Sequence, residues 1–220
     1  NKFVSDISLA DAHDLFQQLS QKGISLGHQK IIKAVILRIY EFAIKTRLIS
    51  PLIQSPLNGF KFPKQEDKLP EILNLTQIRL LMSEAKKFNH EWYPVWATAL
   101  LTGMRNGELH ALLWEDVNFE DKLIHVTKSY DTRTKKTSST KARYWRYVTL
   151  SVELETLFLE LRKADPTRQF VLPRLKRWDQ GEQARKLREF CVGIGLPSVR
   201  FHTLRACFAT QLMKQGVPPI

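Results

Sequence analysis

The 220-residue chain has only two cysteines, Cys191 and Cys207, too few for a disulfide framework and without the spacing of a zinc site. Both read as packing residues of a protein kept in a reducing compartment. Long apolar runs are missing too: none approaches the roughly 20 residues that span a bilayer, and nothing at the start resembles a signal peptide. No membrane partner and a cytoplasmic location are therefore expected. Acidic residues are in deficit, 22 against 34 lysines and arginines. The resulting net charge of +12 and pI near 9.8 repel the folded chain from itself unless a polyanion is its partner. The bases are spread over several segments instead of one amphipathic helix or terminal cluster, which points to nucleic acid ahead of an anionic membrane. A starting methionine is also absent; the chain opens at Asn1, and further helices are expected to precede it.

What is present supports real cores: 43% of residues are hydrophobic, enough for one large domain or two ordinary ones. Ser8 offers a cap to a first helix with Leu9, Ala12, Leu15, Phe16 and Leu19 on its apolar face and Gly23 at its end. A second helix is expected from about Gly27 to Arg47, with Ile31, Ile32, Val35, Ile39, Phe42 and Ala43 inside and Lys30, Lys33, Arg38 and Lys45 outside. From Ser50 to Pro70, Pro51, Pro56, Pro63 and Pro70 with Asn58-Gly59 break any helix and read as extended linker. Lys61, Lys64 and Lys68 in it either track a phosphate backbone or are simply solvated. The expected organisation is a partial helical domain over 1–62, a linker over 63–75 and a second domain over 76–220.

In the second domain Thr76 is expected to cap a helix to about Phe88, and the apolar Trp92–Leu101 helix follows. The pattern then switches to period two, with one strand around Leu123, Ile124 and Val126 and another over Tyr144–Leu150. Lys128 to Lys141 lies between them as a basic β-hairpin or small sheet, either a solvated loop or, given Tyr144, Trp145 and Tyr147 nearby, a nucleic-acid contact. Ser151 caps a further helix, Phe170–Pro173 is a short extended piece, and helices are expected over Asp179–Gly193 and from His202 to about Gln215. The fold class is mainly α with a small antiparallel β-sheet.

Two stretches put charge where the pattern reads as core. In Thr102-Gly103-Met104-Arg105-Asn106-Gly107-Glu108-Leu109, Gly103 stops an apolar helix and Arg105 falls at a helix junction, one turn before Glu108. A guanidinium held by a carboxylate is a rigid fork that suits two phosphate oxygens; a structural ion pair is the other reading. In Phe201-His202-Thr203-Leu204-Arg205-Ala206-Cys207-Phe208-Ala209-Thr210, His202 and Arg205 share one side of the first turn of a helix, whose positive end adds to their pull on an anion. A capping histidine beside a surface arginine is the alternative.

Together these residues resemble, in type and chain order, the active site of the tyrosine recombinase (phage integrase) family. Thr102 to Leu109 match the phrase T-G-x-R-x-x-E-L that opens its catalytic domain. His202 to Thr210 match its second box, H-x-L-R followed by F-A-T. The resemblance implies a helical core-binding domain followed by a catalytic domain. It also implies site-specific recombination through a 3′-phosphotyrosyl intermediate, serving integration or excision of a mobile element, with no cofactor and no metal. Arg105 and Arg205 would clamp the phosphate, Glu108 would orient its neighbours, His202 would assist proton movement, and a hairpin lysine would protonate the leaving 5′ oxygen. Lys141, shortly before Arg146 and Tyr147-Val148-Thr149-Leu150, fits that lysine best, with Lys136 and Lys128 behind it. Lys30, Lys33, Arg143 and Arg146 are the candidates for DNA contact. The implied partners are double-stranded DNA, sister subunits in a homotetramer on that DNA, and accessory DNA-bending proteins. Where the family continues to a Gly-His or Gly-Trp pair and then the nucleophile, this chain has Gly216-Val217-Pro218-Pro219-Ile220, so a fragment lacking the nucleophile tyrosine is expected. A non-catalytic DNA-binding protein on the same scaffold and a type IB topoisomerase are the rival readings.

Overall fold

The computed structural model describes residues 3–64, 72–139 and 145–217, with the side chain of Ser5 excepted. The chain divides into two compact units, residues 1–68 and 69–220. In the first, α1 (Leu9–Gln21) begins at a reciprocal cap in which Ser8 Oγ accepts from the Asp11 N–H and Asp11 accepts from the Ser8 N–H. Gly23, at φ 74°, turns the chain, and Ser25 caps α2 (Leu26–Lys45). The core of this unit is Ala12, Phe16, Leu57 and Phe60, with Leu19, Ile32, Ile36, Leu37 and Phe62 against it.

Two expectations are corrected here. The stretch from Ser50 is not simply linker: Leu57 and Phe60 are buried, and Phe16, Phe60 and Phe62 form a ring cluster with centroids 4.6–5.0 Å apart. Prolines and Asn-Gly prevent a helix there but do not keep apolar side chains from packing. The expected inner face of α2 is also misplaced, because Ile31, Val35, Ile39 and Phe42 are exposed while Gln29 and Tyr40 are buried. The apolar residues of α2 span more of its circumference than one stripe. Among the described residues of this unit, the flank bearing Ile32, Ile36 and Leu37 is the one that packs on the core.

The second unit opens with α3 (Leu75–Lys87), capped by Asn74 paired with Gln77, two residues before the expected Thr76. Next comes α4 (Tyr93–Thr102), nearly all buried and central to a core that includes Trp92, Trp96, Trp178, Leu154 and Phe158. Gly103 ends it in the left-handed conformation at φ 61°. The short α5 (Asn106–Ala111) follows, and then β1 (Val117–Asn118), a two-residue strand that periodicity is too short to register. Strands β2 (Leu123–Val126), β3 (Lys128–Asp131), β4 (Lys136–Ser139) and β5 (Arg146–Thr149) come next. They form an antiparallel sheet in the order β1-β2-β5 and a separate β3-β4 hairpin, with His125 opposite Tyr147 and Val126 opposite Arg146. Ser151 caps α6 (Val152–Ala164). The helix expected from Asp179 is split: Trp178–Gln180 is a 3-10 turn, and Gly181 at φ 89° resets the chain before α7 (Glu182–Gly193). The last helix, α8 (Phe201–Lys214), packs on α4.

Candidate active site

The site is built where α4, α5, β5 and α8 meet. Gly103 provides the turn out of α4 and has no side chain where a Cβ would collide with the Phe208 ring of α8, so the two helices close on each other. That approach brings Arg205 of α8 to the Gly103 carbonyl, to which its guanidinium donates a hydrogen bond.

Glu108 lies at the third position of α5, with its side chain only 1% exposed. One of its oxygens accepts from the Arg105 N–H at 2.8 Å and from Arg146 Nη2 at 2.6 Å; the other accepts from Arg105 Nη1 and Arg146 Nη1, both at 3.1 Å. Burial by itself pushes the Glu108 pKa up, but the hydrogen bonds from Arg146 and Arg105 and the charge of Arg146 outweigh it and hold the carboxyl below its ordinary value. The carboxylate is thus a buried, ionised hub. The side chains it holds keep open faces, 54% exposed for Arg105 and 33% for Arg146. Arg205 has its pKa lowered, first by burial and then by repulsion from Arg105 and Arg146. Three guanidiniums around one carboxylate leave positive charge that an anion would relieve. Beside them, a groove of about 560 Å³ is lined by Thr102, Gly103, Arg146, Ser151 and Arg205 on its polar side and by Phe208, Leu212 and Met213 on its apolar side.

The structure therefore brings together Arg105, Glu108 and Arg205, and adds Arg146, which sequence reasoning put among the DNA contacts without linking it to Glu108. The available signal was period two: Arg146 and Val148 are half-buried while Tyr147 and Thr149 are exposed, so Arg146 faces inward. His202 sits exposed on the first turn of α8, and no hydrogen bond engages it among the described residues. Lys141 and Arg143 lie outside the described residues. Of the other hairpin lysines, Lys136 is exposed on β4, whereas Lys128 Nζ bonds Glu115 at 2.7 Å and Asp116 at 3.4 Å. The bond to Glu115 outweighs burial and raises the Lys128 pKa, which makes it a poor proton donor. In the first unit Lys30 is exposed on α2, but Lys33 Nζ is tied to the Phe60 carbonyl at 2.6 Å. Among the described residues no group of three or more His, Cys, Asp or Glu side chains is placed to hold a metal ion, and no helix is long and apolar enough to cross a membrane.

A second cluster on α5 escaped the sequence reading. His110 stacks on Tyr130 of β3, 4.2 Å between centroids at 22°, stands edge-on to Trp178, and lies 2.9 Å from Arg174 Nη1 through Nδ1. Trp178 Nε1 donates to Asn106 Oδ1 at 2.8 Å. No local pattern signals partners 64 residues apart, as His110 and Arg174 are.

Known proteins share this arrangement of elements. The prophage integrase IntR of Escherichia coli (strain K12) is 30% identical over 96 residues, 44% of this chain and 22% of that protein. A tyrosine recombinase of Pseudothermotoga lettingae is 23% identical across 97% of this chain and 71% of its own length. This chain thus spans under a quarter of the prophage integrase's length. In fold, it is similar to the Tn1549 transposon integrase solved with transposon right-end DNA: TM-score 0.83 and 19% identity, over 100% of this chain and 77% of that one. A lambda integrase dimer bound to a COC′ core site gives 0.73 and 15%, over 96% and 59%. Residues 71–220, which carry the arginine cluster and its glutamate, match the phage integrase family, and the chain belongs to that family.

Proposed function

We propose that this chain supplies the phosphate-clamping machinery of a site-specific recombinase that cuts and rejoins duplex DNA through a 3′-phosphotyrosyl intermediate, integrating or excising a mobile element. The observation that carries the reading is the pair Arg105 and Arg146 bonded to buried Glu108, with Arg205 held beside them on the Gly103 carbonyl. In the reaction a tyrosine hydroxyl attacks the phosphorus, the P–O bond to the 5′ oxygen breaks, and that oxygen takes a proton. Arg105 and Arg205 hold the non-bridging oxygens as charge builds on them, with Glu108 fixing Arg105 and Arg146 in place. Lys141 is the proposed proton donor to the leaving 5′ oxygen, and His202 assists proton movement at the nucleophile. The bond energy is conserved in the phosphotyrosyl link, so strand exchange runs without ATP. Double-stranded DNA is the substrate, a homotetramer on DNA the proposed working assembly, with accessory DNA-bending proteins as further partners and the cytoplasm as the place of action.

The test uses the full-length protein and a nicked duplex carrying a site it selects from fragmented DNA. The expected product is a denaturant-resistant protein–DNA adduct with a free 5′ hydroxyl, lost in Arg205→Ala. Binding without an adduct would establish the non-catalytic alternative. Relaxation of any supercoiled plasmid by a monomer would establish a topoisomerase.

A further inference from the structure

We propose that His110 and Tyr130 form a clamp that sets where the β3-β4 hairpin stands relative to the arginine cluster, making both of them positioning residues for strand cleavage; this rests on the recombinase reading above. The argument begins with the size of α5. In six residues it carries two sets of contacts: Glu108 gathers the arginines, while Asn106, Gly107 and His110 meet Trp178 and β3. A Cβ on Gly107 would lie 2.5 Å from the Tyr130 carbonyl oxygen and 2.6 Å from Ser129 Oγ, so only glycine lets the hairpin backbone rest on this helix. One turn on, the His110 ring lies flat on Tyr130, which fixes the strand's position along the helix.

The clamp is itself held from behind. A guanidinium only donates, so His110 Nδ1 accepts from Arg174 and the ring proton sits on Nε2. Burial first, then the Arg174 charge, hold the His110 pKa down to about 4, so the imidazole stays a neutral acceptor at physiological pH. Arg174 in turn lies 3.3 Å over the Phe170 ring. At the start of β3, Lys128 is tied to Glu115 and Asp116. The hairpin that presents Arg133, Lys135 and Lys136 is thus referenced to the same short helix that orients Arg105, and Glu108 and His110 are two residues apart on it.

The test compares full-length Tyr130→Ala, His110→Ala and Tyr130→Phe on two nicked duplexes, one ordinary and one with a 5′-bridging phosphorothiolate, whose sulfur leaves without needing a proton. On the ordinary duplex the two alanine variants are expected to form adduct on the order of 100-fold more slowly, the scale of a misplaced proton donor. Tyr130→Phe, which keeps the stacked ring, should restore most of that rate. On the sulfur duplex the alanine variants should come within about threefold of wild type, because no proton transfer remains to be lost. Equal slowing on both duplexes, or none on either, overturns the proposal. A wild-type protein that forms no adduct on either duplex defeats the recombinase reading. The clamp is then judged by amide exchange: β3 and β4 should exchange faster in His110→Ala while α8 does not, and unchanged exchange refutes it.

Discussion

Glu108→Gln is the sharpest probe of the arginine hub, because it keeps the shape of the side chain and removes its charge. The carboxylate accepts four hydrogen bonds, two from each arginine, and all four come from donors. A glutamine amide offers one acceptor oxygen and turns an NH2 group toward donors, so two bonds are lost at the second position. Hydrogen bonds to charged groups contribute about 1.5–3 kcal/mol each. The loss is not the full sum, since the Arg105 and Arg146 side chains, 54% and 33% exposed, recover water when released. A destabilisation of about 3 kcal/mol is expected, between the weak effect of an exposed pair and the 3–5 kcal/mol of a fully buried one. For a unit of this size that lowers the thermal midpoint by about 6–12 °C.

The pH dependence gives an independent check of sign. The folded-state pKa of Glu108 lies below its ordinary value of 4.5, so its contribution is complete above that value and fades as pH falls through the folded pKa. The gap between wild type and Glu108→Gln, measured by calorimetry, should therefore be constant near neutrality and close progressively below about pH 4.5. Adduct formation should slow in the variant, since Arg105 and Arg146 lose their common anchor. A midpoint within about 1 °C of wild type at pH 7 would refute the reasoning, by showing that the arginines stay in place without the charge.

Gly103→Ala should combine roughly 1–2 kcal/mol of left-handed backbone strain with the collision against Phe208; thermal denaturation and adduct assays should show loss of both stability and cleavage, partly recovered by adding Phe208→Leu. In duplex-binding titrations Lys30→Ala should reduce the salt-dependence slope by about one if its exposed ammonium meets a phosphate. Lys33→Ala should leave the slope alone and instead loosen the first unit, because its ammonium is bonded to the Phe60 carbonyl. Burial pushes the Cys191 thiol up to about 11 and raises that of Cys207, so neither should react with a thiol reagent at pH 8 until the protein unfolds, and rapid native-state labelling would contradict the packing of α7 on α8.

How much of this was legible in the sequence depended on the range of each interaction. Gly103, Arg105 and Glu108 lie within six residues of one another, so a cap, a junction and an i,i+3 pair could be argued from spacing, and Ser8 and Ser151 mark their helix starts by the same local logic. Periodicity also placed Arg146 on a strand. What it could not supply was a partner: that Arg146 grips Glu108 across 38 residues follows only once β5 pairs with β2 and carries the arginine over α5. The same gap explains both corrections in the first unit. The apolar pattern of α2 says which faces are greasy and not which are covered, so Ile31, Val35, Ile39 and Phe42 looked internal and are exposed, while Leu57 and Phe60, hidden among helix breakers, are core. Helix breakers constrain backbone and burial is decided by side chains, so Leu57 and Phe60, though set in a stretch that reads as extended, supply core to the first unit. Charge follows the opposite rule. Glu108 was legible because burying a carboxylate demands donors, and that demand pointed to Arg105 one turn away, though not to Arg146.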